Sequence, residues 1–322
     1  MHEQSLEAPV TRALRQHLYD KGKYANATLR ILRPCAWEGG AWQKIDITCK
    51  GTTSMIKLIA SDMDGTLLTT DKRLPEEFPL VVHALREKGV AFCVASGRQY
   101  ASLRRDMPEL VPDLVFIAEN GALIVENDQR LFIDPLAACD LPEIVRAAQE
   151  LEDVYPVVCR AGEALVDAKA KAAPDFIGCV QQFYQNTRVV ENLEGICGTF
   201  DDVCKVAFYD EGDAATHELP VLTQRLGGRH AVILSGEKWV DVMRPGVNKG
   251  RAMRMLQQVK GLTPENCMAF GDYLNDLELL ESVSESYAME NALDEIKRVA
   301  RHIAPGNDEN GVMRVIRGRF AL

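Results

Sequence analysis

The chain reads as an α/β protein: a doubly wound, mainly parallel sheet with helices on both faces, interrupted by an inserted α+β segment. Three observations predict this. Short apolar runs alternate with helical patterns from residue 57 to about 135, the alternation lapses between about 136 and 241, and it resumes from Lys249 onward. Regular strand–helix alternation implies parallel strands whose crossover helices cover both faces of the sheet.

Taken in order, Leu58-Ile59-Ala60-Ser61 reads as the first strand. A helix over 76–88 follows, closed by Gly89, then a strand over 90–95 and a helical stretch from Tyr100. Another strand covers 114–118. Residues 122–126 and 130–133, on either side of Asn127-Asp128, read as a hairpin. In the inserted block the pattern predicts a helix over 141–152, a hairpin of 155–160 with 164–167 about Ala161-Gly162, and a helix over 174–184. A strand over 204–209, a helix over 216–226 ending at Gly227-Gly228, and strands over 230–234 and 239–243 complete it. The last part predicts a helix over 249–259 capped by Gly261, a strand over 267–270 and a helix over 274–280. After these come strands at 286–289 and 302–304 and helices near 293–300 and 311–317. The expected organisation is therefore a core of 55–135 and 242–322, with 136–241 inserted. Residues 1–54 lack a sustained period, are rich in basic residues and contain Trp37 and Trp42. They read as an extension ahead of a start at Met55, poorly ordered or non-native, with a transit-like peptide over 10–33 as the alternative.

Composition narrows the function. The chain has 322 residues, 47% hydrophobic and 26% charged, with a net charge of −10. That balance argues against nucleic-acid or anionic-membrane binding, which call for a basic surface. No apolar run reaches the length of a membrane span. Nine cysteines, odd in number and without a C-x-x-C spacing, read as reduced and mostly buried thiols of a cytoplasmic protein. The expected partner is a small metabolite, and the protein is expected to be a monomer or homodimer.

Chemistry gathers at four predicted strand ends, where open α/β sheets bind ligands. The first is Asp62-Met63-Asp64-Gly65-Thr66. If Asp62 and Asp64 continue the strand they share a face, and like charges about 4 Å apart repel by about 4 kcal/mol at an effective dielectric of about 20. A hard cation such as Mg2+ relieves that repulsion, and a rigidly held carboxylate is a possible nucleophile toward phosphorus. A solvated turn is the alternative. The second is Ser96-Gly97-Arg98, either a holder of phosphate oxygens or an ordinary helix cap. The third is Asn248-Lys249-Gly250, where a lysine opening a helix runs against the dipole and hints at a nearby anion. The fourth is Gly271-Asp272-Tyr273-Leu274-Asn275-Asp276, two acids and an amide beside a glycine turn, with helix capping as the alternative.

The four stretches together resemble the haloacid dehalogenase-like phosphohydrolases, and within them the Cof-type branch with a type IIB cap. Further echoes are Glu119-Asn120-Gly121, Met289-Glu290-Asn291-Ala292 and Asn307-Asp308-Glu309-Asn310-Gly311-Val312. The resemblance runs from about Met55 to Phe320. It implies a Rossmann-like core with 136–241 as a cap domain, and a Mg2+-dependent phosphatase acting on a sugar phosphate or phosphorylated cofactor. By the same resemblance Asp62 attacks phosphorus to form an aspartyl-phosphate, Asp64 acts as acid and then base, and Lys249 neutralises charge. Thr66, Ser96, Gly97 and Asn275 are implied to contact the phosphoryl group. Asp62, Asp64 (through its carbonyl), Asp272 and Asp276 are implied around the metal, with Asp276 orienting Lys249 or a metal-bound water. Arg98 and Asn120 are candidates for reading the substrate, whereas Arg160 and Lys205 in the inserted block are expected to be solvated surface charge. His83, His217, His230 and His302 follow no pattern and read as ordinary surface or packing residues. A P-type ATPase would carry lysine in place of Asp64 and needs membrane spans. A phosphomutase, or a silent metabolite-binding regulator, is the remaining alternative; the latter predicts loss of Asp62, Asp64 or Lys249, and all three are present.

Overall fold

The computed structural model describes residues 55–169 and 173–322. The expectations for residues 1–54, including Cys35, Cys49, Trp37 and Trp42, lie outside the described residues. Residues 55–322 form one compact unit that holds two sheets.

The strands are β1 (Leu58–Ser61), β2 (Ala91–Ala95), β3 (Leu114–Ala118), β4 (Leu123–Glu126) and β5 (Gln129–Ile133) in the first part of the chain. Next come β6 (Val154–Arg160), β7 (Ala164–Asp167), β8 (Thr187–Val190), β9 (Val203–Asp210), β10 (Ala231–Gly236) and β11 (Trp239–Met243). The last three are β12 (Cys267–Gly271), β13 (Glu285–Met289) and β14 (His302–Ala304). The first sheet has the order β14-β13-β12-β1-β2-β3-β4-β5, parallel from β14 to β3 and closed by the antiparallel β4 and β5. Its central strands β1, β3 and β12 are fully buried and apolar apart from Ser61, as a sheet covered on both faces requires. Winding proceeds outward from β1 in one direction through β2 and β3, and in the other through β12, β13 and β14. The crevice between the ends of β1 and β12 is therefore a topological switch point, where such folds place ligands.

The second sheet, β10-β11-β9-β6-β7-β8, is antiparallel except for the β7–β8 pair. Both its faces are covered, and the period of two sorts the residues. Val206 and Phe208 of β9 enter a core with Leu141, Ile144, Leu193 and Leu222. Ala207 and Tyr209 enter a different core with Phe176 and Val180. This accounts for β9 being buried along its whole length.

Several sequence-based boundaries move. The helix expected over 141–152 stops at Arg146. Beyond it the backbone tightens into three-residue turns, Ala147 N to Ile144 O, Gln149 N to Arg146 O and Leu151 N to Ala148 O. Arg225 Nη1 donates to the Ala147 carbonyl at 2.7 Å, claiming an acceptor the helix would have used. The expected 274–280 helix is a 3-10 turn, Leu274–Asp276, followed by a short helix, Leu277–Glu281. Strand β8 and the helix Leu193–Cys197 were not anticipated, being too short for a period to show. Cys93, Cys159, Cys197, Cys204 and Cys267 are buried free thiols, whereas Cys139 is exposed. Among the described residues, no helix is long and apolar enough to cross a membrane.

Candidate active site

Strand β1 ends at Ser61, and the chain turns at once. Asp62 N still bonds Phe270 O at 3.1 Å, which aligns the ends of β1 and β12. Leu67 N and Leu68 N then return to Asp62 O and Met63 O, at 3.2 and 2.8 Å. Gly65 sits at φ 83°, and a Cβ there would meet Asp272 Oδ2 at 2.3 Å. Only glycine supplies both that backbone and that close approach.

The turn changes the reading of the paired acids. Asp62 and Asp64 do not share a strand face, because no strand continues through them. Asp62 points into the crevice and is 7% exposed. The Asp64 carboxylate instead takes Arg98 Nη2 at 2.6 Å, Arg98 Nε at 2.9 Å and Lys72 Nζ at 2.8 Å. The expected repulsion is thus relieved by separate partners. Burial works to raise the Asp64 carboxyl, but Arg98 and Lys72 outweigh it and hold it below the usual carboxylate range. Lys72 was not singled out from the sequence; nothing in a surface lysine eight residues along marks it as a partner.

At the centre of the crevice is Lys249, the first residue of the helix Lys249–Lys260, wholly buried. Asn248 caps that helix by accepting from Arg251 N at 2.7 Å. Lys249 Nζ lies 2.5 Å from Asp62 Oδ1 and 2.7 Å from Asp276 Oδ1. These are the anions that its place at a helix start foreshadowed. Burial alone would lower the ammonium, but Asp276 and Asp62 reverse that and keep it charged. Asp276 Oδ2 accepts from Asp272 N at 3.0 Å and Tyr273 N at 3.3 Å, so this carboxylate is fully engaged.

Asp62, Asp272 and Asp276 each bring an oxygen within 4.8 Å of the others. Thr66 Oγ1 donates to Asp272 Oδ1 at 2.6 Å. Burial, then Asp276, raises the Asp62 carboxyl against the pull of Lys249. Burial likewise pushes Asp272 up to about 6. Three carboxylates face one ammonium; with all three ionised the cluster carries two negative charges in excess, which a divalent cation matches. Asp62 Oδ2 and Asp272 Oδ2 have no hydrogen bond among the described residues, so an oxygen of each fits a hard cation.

The remaining candidates lie around this cluster. Ser96, buried, accepts from Arg98 N at 3.2 Å through Oγ, and its backbone N donates to Ile117 O. Arg98 is committed to Asp64 and, at 3.2 Å, to Asp106. Asn120 Oδ1 accepts from Asn275 Nδ2 at 3.2 Å and packs against Gly97. Arg160 is half-buried, pairs with Glu163 and Asp202, and lies 4.2 Å over the Phe200 ring. Lys205 departs from its expectation. It is buried rather than solvated, because Glu119 and Asp241 are buried with it. His217 meets Asp210 at 2.7 Å and His230 is buried; neither they, His83 nor His302 touches the cluster.

The late echoes brace the first loop. Asn291 Nδ2 donates to Gly65 O at 2.8 Å, and Asn307 Nδ2 to Leu68 O at 2.9 Å. Asn307 N donates to Asn291 Oδ1, and Asp308 accepts from Thr70 N and Oγ1 at 2.7 and 2.8 Å. Their asparagines were visible in the sequence, but that they hold the Asp62 turn was not.

A family model described as haloacid dehalogenase-like hydrolase matches residues 59–316. The chain is 30% identical over 267 residues to the 5-amino-6-(5-phospho-D-ribitylamino)uracil phosphatase YbjI of Escherichia coli (strain K12), covering 81% of this chain and 95% of that one. It is 28% identical over 257 residues to the HMP-PP phosphatase of Cronobacter sakazakii, covering 77% and 89%. Among solved structures, SMU.1108c from Streptococcus mutans superposes with a TM-score of 0.72 at 26% identity, covering 83% of this chain and all of that one. The subclass IIB sugar phosphatase BT4131 shares the fold, with a TM-score of 0.64 at 19% identity over 83% of this chain and 100% of its own.

Proposed function

The chain belongs to the haloacid dehalogenase-like hydrolases, and we propose that it is a Mg2+-dependent phosphatase that cleaves a small phosphorylated metabolite through an aspartyl-phosphate on Asp62. The observation that carries this reading is Lys249, buried between Asp62 and Asp276 with Asp272 alongside, at the switch point of the sheet. The names of the relatives, phosphatases of 5-amino-6-(5-phospho-D-ribitylamino)uracil and of HMP-PP, support a small phosphorylated metabolite as substrate.

Asp62 Oδ2 attacks phosphorus and the bond to the leaving oxygen breaks, with Asp64 supplying the proton. A water then attacks the aspartyl-phosphate, Asp64 takes its proton, and Asp62 and inorganic phosphate are released. Paired with Arg98 and Lys72, Asp64 is set for the base step. For the acid step its carboxyl must leave those cations and reach the leaving oxygen. Lys249 neutralises the charge of Asp62 and of the approaching phosphoryl oxygens. Ser96 and the backbone at Gly97, with the buried Thr66 and with Asn275 at the rim, are assigned to the phosphoryl oxygens. Mg2+, held by Asp62 and Asp272 with the Asp64 carbonyl, would supply charge neutralisation at phosphorus; Asp276 orients Lys249. Residues 136–241, which carry the second sheet except the last two residues of β11, are assigned as a cap that excludes water from the crevice, over a core of 55–135 and 242–322.

The test is phosphate release from a panel of sugar phosphates and phosphorylated cofactors, with Mg2+ and then with EDTA. Release that stops in EDTA and returns with Mg2+ is expected. Turnover that persists in EDTA, or in Asp62→Asn, would sink the mechanism.

A further inference from the structure

A second buried lysine lies where the two sheets meet. Lys205 of β9 is 6% exposed, and its Nζ is 3.0 Å from Asp241 Oδ2 of β11 and 3.2 Å from Glu119 Oε2, just beyond β3. The β9–β11 register sets Asp241 opposite Ala207, two residues from Lys205 and so on the same face. The same Nζ is 3.5 Å from the carbonyl of Gly97, inside the Ser96-Gly97-Arg98 loop. Glu119 is fully buried, and neither carboxylate oxygen has a hydrogen-bond partner. Its only compensation among the described residues is the ion pair with Lys205.

Glu119 opens a turn at which the site loops converge. Glu119 N donates to Arg98 O and Asn120 N to Ser96 O, both at 3.1 Å. Asn120 Oδ1 accepts from Asn275, and a Cβ on Gly121 would lie 2.3 Å from Asn248 O, next to Lys249. Glu119 and Asn120 hold φ of 50° and 52°, a left-handed pair of non-glycine residues that persists only when its surroundings enforce it. One such enforcement comes from the second sheet.

We propose that Lys205, Asp241 and Glu119 are positioning residues: through this cluster the second sheet holds the Glu119-Asn120-Gly121 turn in its left-handed form and thereby sets the Ser96-Gly97-Arg98 loop for the phosphoryl group. The inference rests on the phosphatase reading above. None of the three touches the Asp62–Lys249–Asp272 cluster, so their loss acts on phosphate capture more than on the chemical step.

The test uses the full chain with p-nitrophenyl phosphate and Mg2+, inorganic phosphate as competing inhibitor, and thermal unfolding. Lys205→Met is expected to raise KM and the Ki of phosphate together, by about ten- to a hundredfold, the loss expected when a hydrogen-bonded anion contact is misplaced. Its kcat is expected to change far less. Glu119→Gln, which keeps shape and volume, is expected to shift both constants in the same direction. Leu222→Ala, in the other core of the second sheet, is expected to lower the melting temperature while leaving KM and Ki as in wild type. If Lys205→Met does not fold, Glu119→Gln decides: raised constants support the inference and wild-type constants overturn it. Variants that fold and keep wild-type KM and Ki beside an active wild type overturn this inference alone. A wild type that releases no phosphate from any substrate overturns the phosphatase reading, and this inference with it.

Discussion

Lys249 and Lys205 are each buried between two carboxylates, the first in the crevice of the parallel sheet and the second at the junction of the two sheets. Both are held charged by those neighbours although burial works against it. What separates them is the charge left over. Around Lys249 a third carboxylate, Asp272, is only partly buried and keeps an oxygen without a hydrogen bond, so that with all three ionised two negative charges are in excess at an opening. Around Lys205 both carboxylates are sealed from solvent together with the lysine. Burial raises Glu119, and nearby Glu218, fully buried, is pushed up to about 8 by burial and then by Asp210 and Asp241. A buried lysine is therefore no mark of catalysis by itself. Unneutralised charge at an accessible place is the better guide, and a sealed cluster of the same composition holds elements together.

Five changes test this contrast. Asp62→Asn removes the attacking oxygen and is expected to lower kcat by about a thousandfold or more, read as phosphate release. The matching change at the other lysine, Asp241→Asn, is expected to act mainly on KM; equal losses of kcat would dissolve the distinction. Lys249→Met leaves Asp62 and Asp276 buried without a counter-charge and is expected to cost about 3–5 kcal/mol of stability as well as turnover, measured by denaturant unfolding. Added Mg2+ should restore part of that stability, since a cation binding the folded state stabilises it.

The fourth change concerns pH. A carboxyl whose folded pKa is raised, as in Glu218, contributes its stability in full below the unfolded value near 4.5 and loses it as pH rises through about 8. The melting temperature of wild type should therefore fall relative to Glu218→Gln between pH 5 and pH 8, by a few degrees. Parallel curves would show that burial does not raise the Glu218 carboxyl. The smallest effect is expected at the rim. Lys72 is exposed, and Lys72→Ala should alter kcat less than about threefold, because exposed ion pairs contribute about 0–1 kcal/mol. A large loss would mean that Lys72, and not Arg98, controls Asp64.

The crevice was the legible part of the chain. Asp62, Lys249, Asp272 and Asp276 follow apolar strands or open helices, and strand direction with α/β topology suffices to bring their ends together. Most strands were legible for the same reason: a run such as Leu114–Ala118 has one environment wherever it is buried. The short elements β8 and Leu193–Cys197 were not, because four or five residues carry no period.

By itself, then, the sequence determined the doubly wound α/β class, because strand–helix alternation is a local pattern. The resemblance carried by four strand-end stretches named the groups expected together, and the strand order came from the tertiary structure. The tertiary structure alone decided which partner each charge takes. It turned Asp64 away from Asp62 toward Arg98 and Lys72, buried Lys205 against Glu119 and Asp241, and set Asn291 and Asn307 beneath the Asp62 turn. These pairings join residues as far as 239 positions apart, and they depend on register and burial, which no local pattern records.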